Sequence, residues 1–164
     1  MITDATLLFD TDKAIASAGL TFSDNVLDLS MIRDIGDGEK LHLLITVTTT
    51  FASSTTGNVQ FGLAVSATSA MGSPAYLVNS APYNASQLVA YDPATMTPAT
   101  QILVPVPGLI SALNASIGAN GQRYMSAIYT VVNTFDAGKV RAELVLDPQV
   151  VNGRTYYSKS YTVI

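Results

Sequence analysis

The residues that could carry out acid–base or nucleophilic chemistry are few and widely spaced. Histidine occurs once, at His42, and cysteine does not occur. Catalysis by a base or a nucleophile needs a positioned partner group, and zinc sites usually need several histidine or cysteine ligands. His42 is flanked by leucines in an alternating segment, on the side opposite the large apolar residues. The sequence therefore predicts a sheet-surface histidine with neither a catalytic nor a metal-binding role.

The densest group of carboxylates lies in one predicted turn. Hard cations prefer such oxygen clusters, but the spacing does not match a calcium-binding loop. Basic residues on either side can neutralise the charge instead. The sequence predicts an ordinary charged turn and no metal site, with the acidic residues at Asp34, Asp37 and Glu39 and the basic ones at Arg33 and Lys40.

Motifs of common enzymes are missing from the chain. No Gly-x-Ser-x-Gly nucleophile elbow and no Gly-x-x-x-x-Gly-Lys phosphate loop occurs,. We therefore expect no enzymatic activity and no cofactor. The remaining enzymatic hypothesis is a β-sandwich hydrolase that uses His42, and it ranks below two binding functions described below.

Composition favours a protein that works by surface contact. The chain has 164 residues, enough for one domain, and carries 48% hydrophobic but only 12% charged residues,. This much apolar surface favours a sizeable interface with a partner. The net charge is -4 and no cluster of lysine and arginine occurs, which argues against nucleic-acid binding,. The N-terminal segment is acidic, which argues against a signal peptide. No apolar run is long enough to span a membrane. The lack of cysteine fits a reducing cytoplasm.

Alternation of apolar and polar residues predicts β-strands along most of the chain. Successive side chains of a strand point to opposite faces, so an apolar residue at every second position gives one buried face. The clearest segments are Leu41 to Thr50, Val59 to Ser66 and Val140 to Leu146. A fourth, Tyr124 to Val132, is apolar on both faces, which predicts burial on both sides. Shorter candidates are Asn25 to Leu29, Tyr76 to Asn79, Gln87 to Tyr91 and Gln101 to Val106.

Turn-forming residues separate these strands, and helix is scarce. Asn152-Gly153 suits a tight hairpin turn between Gln149 to Val151 and a strand-like tail, Thr155 to Ile164,. Only Asp12 to Ala18 and Leu109 to Ile117 are predicted to form a helical turn, the first with Asp10-Thr11-Asp12 as its cap,.

These elements predict a single all-β domain, a jelly-roll-like sandwich or a small β-barrel with extended N- and C-terminal arms. Residues 1–20 are predicted to form the N-terminal arm, residues 21–147 the β core with an irregular insertion at 66–100, and residues 148–164 a C-terminal extension. Two apolar or aromatic groups on these arms are predicted to contact a partner: Leu7, Leu8 and Phe9, and Tyr156, Tyr157 and Tyr161,. The tyrosine-rich tail has two open interpretations, a strand on a partner subunit or an edge strand of the chain's own sheet.

The order of residues near both ends resembles a known family. The matching segments are Met1 to Phe9, Ser23 to Leu29 and Arg33 to Glu39, followed by an alternating strand, and then Arg123-Tyr124-Met125, Tyr129-Thr130-Val131, Ala137-Gly138-Lys139 and Leu144 to Asp147. Together they resemble the capsid cement, or decoration, proteins of tailed bacteriophages. The chain departs from that family in its longer middle region and in its continuation through Val150 to Ile164.

The resemblance implies a small β-barrel or jelly-roll protein that binds the major capsid protein on the outer surface of the virion and stabilises the shell. It also implies a homotrimer at the threefold positions, made in the cytoplasm of the host bacterium. The alternative is a glycan- or receptor-binding domain of a phage tail or head fibre, because jelly rolls also serve as lectins. Fold alone does not separate the two functions.

Overall fold

The computed structural model describes residues 7–29, 41–106 and 123–146, together with two short strands at 150–151 and 154–155. Within these residues the chain forms strands joined by turns and one short 3₁₀ helix at Ala85–Gln87. The strands are β1 (Leu8–Ala14), β2 (Gly19–Phe22), β3 (Leu27–Asp28), β4 (Leu41–Ala52), β5 (Asn58–Ser66), β6 (Ala75–Asn79), β7 (Tyr83–Asn84), β8 (Gln101–Pro105), β9 (Tyr124–Val132), β10 (Ala137–Leu146), β11 (Val150–Val151) and β12 (Arg154–Thr155).

The eight longer strands form two antiparallel sheets with jelly-roll topology. Sheet I has the order β1-β10-β4-β8 and sheet II has the order β2-β9-β5-β6, with β3 paired to β9 and β7 paired to β5 at its margins. The chain passes repeatedly from one sheet to the other, so that its first and last long strands become neighbours in sheet I. This is the strand order of a jelly roll. The predicted all-β sandwich is therefore confirmed.

The alternating segments supply the core as the sequence predicts. Odd-numbered residues of β4 and β5 point between the sheets, and β9 and β10 add their own inward rows. Burying these side chains removes the largest apolar area from water and holds the two sheets together. The fully buried members with the largest volume include Phe9, Leu43, Ile45, Phe61, Leu63, Met125 and Tyr129.

The second apolar face of β9 also packs as predicted, although only in part. Ile128 is fully buried on the outward side of sheet II, beneath Met71 from the loop that follows β5. Phe22 and Tyr124 cover its flanks. Val132, at the end of the same strand, stays exposed.

The prediction of an N-terminal arm over residues 1–20 is wrong from Leu8 onward. Leu8–Ala14 is an edge strand of sheet I, paired with β10, and Phe9 is fully buried in the chain's own core. A β-bulge explains why alternation did not reveal this strand. Leu8 lies opposite Glu143 but Asp10 lies opposite Ala142, so Phe9 is an extra residue and both Phe9 and Asp10 turn inward,. Residues 1–6 lie outside the described part of the chain.

The helical turn predicted at Asp12 to Ala18 is also wrong. Asp12 lies in β1, where its carboxylate contacts Thr48 and Lys139 across the sheet. Asp10 is buried in the same strand and caps no helix. The cluster of short polar residues that suggested a cap is therefore an irregular, bulged strand edge. The other predicted helix, Leu109 to Ile117, lies outside the described residues.

The insertion predicted at 66–100 is more ordered than expected. It contains β6, which pairs with β5, and the short β7. The candidate strand Tyr76 to Asn79 is confirmed as β6, whereas Gln87 to Tyr91 is not a strand. Leu88 instead turns inward and is fully buried, and its carbonyl accepts a hydrogen bond from the Phe51 amide.

The hairpin predicted around Asn152-Gly153 is confirmed by its two paired strands. Val150 lies opposite Thr155 and Val151 lies opposite Arg154 in antiparallel register. The two turn residues and residues 156–164 lie outside the described part of the chain.

Two glycines, Gly138 and Gly19, have positive φ, but a Cβ atom would meet a neighbouring side chain only at Gly138. Gly138 has φ +148° and opens β10, and a Cβ atom there would lie 2.5 Å from the Phe51 ring. Gly19 has φ +116°, but a Cβ atom there would meet nothing within 4 Å. We predict that Gly19→Ala lowers the free energy of unfolding by about 1–3 kcal/mol through backbone strain alone.

Gly138→Ala is expected to cost more than Gly19→Ala, because Phe51 must also move and its edge-to-face contact with Phe135, at 5.0 Å between ring centroids, is lost,. Urea denaturation of both variants measures the two costs. Equal losses of stability would contradict a steric role for Phe51.

Candidate interaction surface

A buried hydrogen bond ties the first strand to the opposite sheet. The Tyr129 hydroxyl donates to Oδ2 of Asp10 at 2.5 Å, and Oδ1 of the same carboxylate accepts from the Asp24 amide at 2.9 Å. Asp10 belongs to sheet I and Tyr129 to sheet II, so the bond crosses the sandwich. Both side chains are buried. Each carboxylate oxygen of the buried Asp10 side chain therefore accepts a hydrogen bond.

Burial shifts the pKa values of both partners upward. Desolvation raises the pKa of Asp10, although the Asp24 amide and the Tyr129 hydroxyl partly offset this by stabilising the carboxylate. Desolvation also raises the pKa of Tyr129 well above its usual range, and the neighbouring Asp10 adds to the shift. Tyr129 therefore remains a hydrogen-bond donor at neutral pH. The pair has the character of a structural contact, because no other ionisable group reaches it within hydrogen-bond distance in the described residues.

His42 lies where the sequence predicts, on the outward side of β4. It is half-buried between Val145 of β10 and Pro105 of β8 in the sheet register. Its Nδ1 atom is buried and has no hydrogen-bond partner. No carboxylate or hydroxyl of the described residues bonds this atom.

The N-terminal side chains that were predicted to contact a partner pack mostly against the chain's own core. Phe9 is fully buried, Leu7 packs against the same core, and Leu8 is half-buried beside Glu143. Tyr156, Tyr157 and Tyr161 lie outside the described residues, as do the acidic residues of the predicted charged turn, Asp34, Asp37 and Glu39.

Charged residues are concentrated in β1 and β10, two neighbouring strands of sheet I, whereas β4 and β8 of the same sheet contain no Asp, Glu, Lys or Arg. β1 and β10 together contain six of them: Asp10, Asp12, Lys13, Lys139, Arg141 and Glu143. Most pair with each other or with nearby loops. Lys139 bonds Asp12 at 2.7 Å, Arg141 bonds Glu143 at 2.9 Å, and Lys13 bonds Asp24. These ion pairs lie on the β1–β10 side of sheet I, whereas Leu44 and Val145, also on its outward side, are buried apolar residues.

The outward side of sheet II lacks such charges. Its strands β2, β5, β6 and β9 contain no Asp, Glu, Lys, Arg or His. Three large apolar side chains stand exposed on it, Leu20 at 41%, Tyr76 at 53% and Val132 at 59% of their surface. One ion pair, Arg123 with Asp28, lies at its margin. We call this outward side the neutral face.

A second group of exposed apolar side chains lies at the tip of the loop between Leu88 and β8. Tyr91 is 54% exposed and Met96 67% exposed, and the tyrosine hydroxyl contacts the methionine sulfur. Asp92 braces the loop, because its carboxylate accepts hydrogen bonds from the Ala94 amide at 2.9 Å and the Thr95 hydroxyl at 2.8 Å. We call residues 91–97 the braced loop.

Neither surface was among the residues predicted to bind a partner. The exposure of Tyr76 or Val132 depends on strand order, which residue spacing does not give. One signal was nevertheless readable: long strands on both sides of the insertion lack charge, which is unusual for a sheet that faces water on one side,. The predicted strands Leu41 to Thr50, Val59 to Ser66 and Tyr124 to Val132 all lack Asp, Glu, Lys and Arg, so this signal alone does not separate β5 and β9 from β4.

The described residues contain no group of three or more His, Cys, Asp or Glu side chains arranged to hold a metal ion. Nor does any helix within them have the length and apolar character needed to cross a membrane. Exposed apolar side chains of the described residues lie on the neutral face and on the braced loop.

The Asp10–Tyr129 pair generates a prediction about pH. Because the folded-state pKa of Asp10 is raised, its contribution to stability is fully present below the unfolded pKa, about 3.9, and is lost as pH rises through the folded value,. Asp10→Asn removes the titration and can still bond both the Asp24 amide and the Tyr129 hydroxyl. We expect this variant to be at least as stable as the parent at pH 7 and to show a flatter stability profile in mildly acidic solution.

Tyr129→Phe is the contrasting variant, because it leaves the buried Asp10 carboxylate without one donor. It should lower the free energy of unfolding at pH 7 by about 1–3 kcal/mol and steepen the loss of stability with rising pH. Urea titrations at a series of pH values measure both profiles. Parallel profiles for the parent and Asp10→Asn would show that Asp10 does not titrate as described.

Comparison with known proteins identifies the family. A sequence model of the Bbp16 family matches residues 9–144, which span most of the 164-residue chain, from β1 to β10. No curated protein matches the chain. The matched region coincides with the jelly roll, since Phe9 opens the core and Leu144 closes it. The chain therefore belongs to the Bbp16 family and is a phage-related protein.

Proposed function

We propose that this protein is a capsid cement protein that binds the outer surface of the major capsid protein shell and stabilises it. The observation that carries the proposal is the braced loop, which presents Tyr91 and Met96 to solvent on a scaffold with a complete core. Membership of a phage-related family supports a virion component. The resemblance of the chain's two ends to cement proteins supports the outer capsid surface as its location and the cytoplasm of the host as its site of synthesis.

The braced loop is suited to binding because its shape is set before contact. Asp92 and Thr97 pair as a β-bridge, with a hydrogen bond of 3.0 Å from the Asp92 amide to the Thr97 carbonyl. The Asp92 side chain fixes the intervening turn, and Met96 adopts φ 56°, which directs the chain back toward β8. A preformed loop loses little conformational freedom on binding, so more of its contact energy is retained as affinity.

The exposed side chains at the tip are of the types that anchor protein interfaces. Tyrosine and methionine are enriched in interface cores, and methionine adapts its shape to irregular surfaces. A single tip of this size gives a weak contact. An oligomer bound at several points on one shell gains by avidity, since later contacts form at high effective concentration. Stabilisation of the shell follows, because a ligand that binds only the assembled form favours that form.

Shell binding requires no catalysis, and we propose no enzymatic activity and no cofactor. The partners are accordingly the shell and further copies of the chain, and not nucleic acid or membrane. The acidic net charge of -4 supports this selection, since nucleic acid and anionic lipid surfaces both attract basic proteins,.

The test is binding of the purified protein to empty shells that lack it. Met96→Asp places a charge at the apolar tip, and we expect it to weaken shell binding by about tenfold or more, equivalent to about 1.4 kcal/mol. Thr49→Asp is the matched control, because Thr49 is an exposed residue of β4 in sheet I. Sedimentation of shells with bound protein measures both variants.

A parent protein that ignores shells but binds host cells or glycans would contradict the proposal and favour the fibre-domain alternative. Equal shell binding by the parent and Met96→Asp would remove the braced loop from the interface. Retention of the parent's thermal unfolding temperature in Met96→Asp confirms that the variant is folded.

A further inference from the structure

We infer that the C-terminal extension, residues 148–164, folds back over the outward side of sheet I and covers it. The inference concerns a single copy of the chain and is independent of the shell. It starts from two apolar residues on that side, Leu44 of β4 and Val145 of β10, which are each 1% exposed. Both face outward, because Leu43 and Leu144 point into the core and successive side chains of a strand face opposite sides,.

The burial of these two residues requires a covering layer. Side chains stand roughly perpendicular to a sheet, so neighbours in the same sheet shield their flanks but not their tips. On the outward side of sheet II the cover belongs to the described residues, since Met71 packs on Ile128. Leu44 and Val145 belong to neither of the two apolar clusters that the described residues form. The cover of sheet I therefore comes from a segment outside those residues.

Two buried polar atoms on the same side lack a hydrogen-bond partner among the described residues, His42 Nδ1 and Arg141 Nε. His42 lies opposite Val145 and Arg141 lies opposite Thr46, so both belong to the outward side of sheet I. Buried polar atoms ordinarily have partners. A neutral imidazole nitrogen accepts a hydrogen bond and the arginine Nε–H donates one, and a tyrosine hydroxyl can serve in either role. The cover is therefore expected to bring hydroxyl groups as well as apolar surface.

Chain connectivity favours the C-terminal extension over the other segments outside the described residues. Residues 30–40 join β3 to β4 and residues 107–122 join β8 to β9, so each passes from one sheet to the other. Residues 1–6 lead into Leu7, which packs against the core between the sheets. The extension instead follows β10, an inner strand of sheet I in which Val145 is the last residue but one.

The hairpin within the extension needs a surface to pack against. Its strands, Val150–Val151 and Arg154–Thr155, pair with each other in a separate two-stranded sheet. A two-stranded hairpin alone is marginally stable in water and gains stability by packing on an apolar face. Val150 follows shortly after Val145 in the chain, so the outward side of sheet I is the first such face within its reach.

The remaining residues, 156–164, have the length and composition to complete the cover. Nine residues in extended form span about 30 Å, close to the length of the ten-residue β10,. Tyr156, Tyr157 and Tyr161 combine large apolar rings with hydroxyl groups, the two features that the face requires,. We assign the rings to its apolar residues and the hydroxyls to its two unpartnered atoms.

Thiol accessibility tests the cover in the full chain. The chain contains no cysteine, so Val145→Cys introduces a single thiol on the outward side of sheet I. A soluble aromatic disulfide should modify it at least about tenfold more slowly than the thiol of Thr49→Cys, at an exposed position of β4,. Adding Tyr156→Ser, Tyr157→Ser and Tyr161→Ser to Val145→Cys should raise its rate at least about tenfold.

Two controls separate loss of the cover from unfolding. Val47→Cys places a thiol inward on β4, where the three tyrosine substitutions should leave it protected. Ser158→Ala with Ser160→Ala is the matched change within the tail and should leave the Val145→Cys thiol protected. An unchanged rate in the tyrosine variant would overturn the inference. Protection that increases with protein concentration would also overturn it, because the cover would then come from a second copy.

The single histidine gives an independent measurement. The ¹⁵N resonance of His42 Nδ1 reports whether this nitrogen accepts a hydrogen bond. It should shift in the variant that lacks the three tyrosines and stay in place in the variant with Ser158→Ala and Ser160→Ala. A resonance that does not respond to the tyrosines would contradict their assignment as partners. Shell binding by Met96→Asp is measured separately, so failure of one proposal does not decide the other.

Discussion

Packing of the inward rows of sheet I against those of sheet II is the interaction on which the rest of the structure depends. Among the described residues this is the larger of the two buried apolar clusters, and it is built from both sheets together. Phe9, Phe61 and Tyr129 are fully buried at this interface, and an edge-to-face contact joins the rings of Phe61 and Tyr129. The polar bond from Tyr129 to Asp10 lies within the same layer, which makes β1 part of the core despite its irregular edge.

Many strands of the fold could be predicted from the two-residue repeat of apolar residues in the sequence. β4, β5, β9 and β10 carry an apolar residue at every second position over most of their length, so their inward faces were predictable from residue types alone. β1 was not, because bulges interrupt its period and its polar residues imitate a helix cap. Strand order could not be predicted either, since pairing between distant segments leaves no trace in spacing. The exposure of Leu20 and Val132 depends on that order, which is why the neutral face emerged only from the structure.

The outward sides of the two sheets differ in the chemical groups that they carry. Sheet I carries ion pairs on its outward side, whereas sheet II carries hydroxyl, amide and apolar groups. The overall share of charge is low, 12% of residues, and most charged residues of the two sheets lie in β1 and β10. The braced loop adds a second group of exposed apolar side chains, fixed by Asp92 and separate in sequence from the strands of the neutral face.

The pairing of β1 with β10 has a consequence for how the chain reaches its native state. Leu8 pairs with Glu143, so sheet I cannot close until β10 has been synthesised. Contacts between residues so far apart in sequence slow the folding of β sandwiches to milliseconds or longer. Their folding rates are about 10³-fold lower than those of helical bundles. During that interval Phe9 and the rows of β4 and β5 are open to solvent and prone to aggregate.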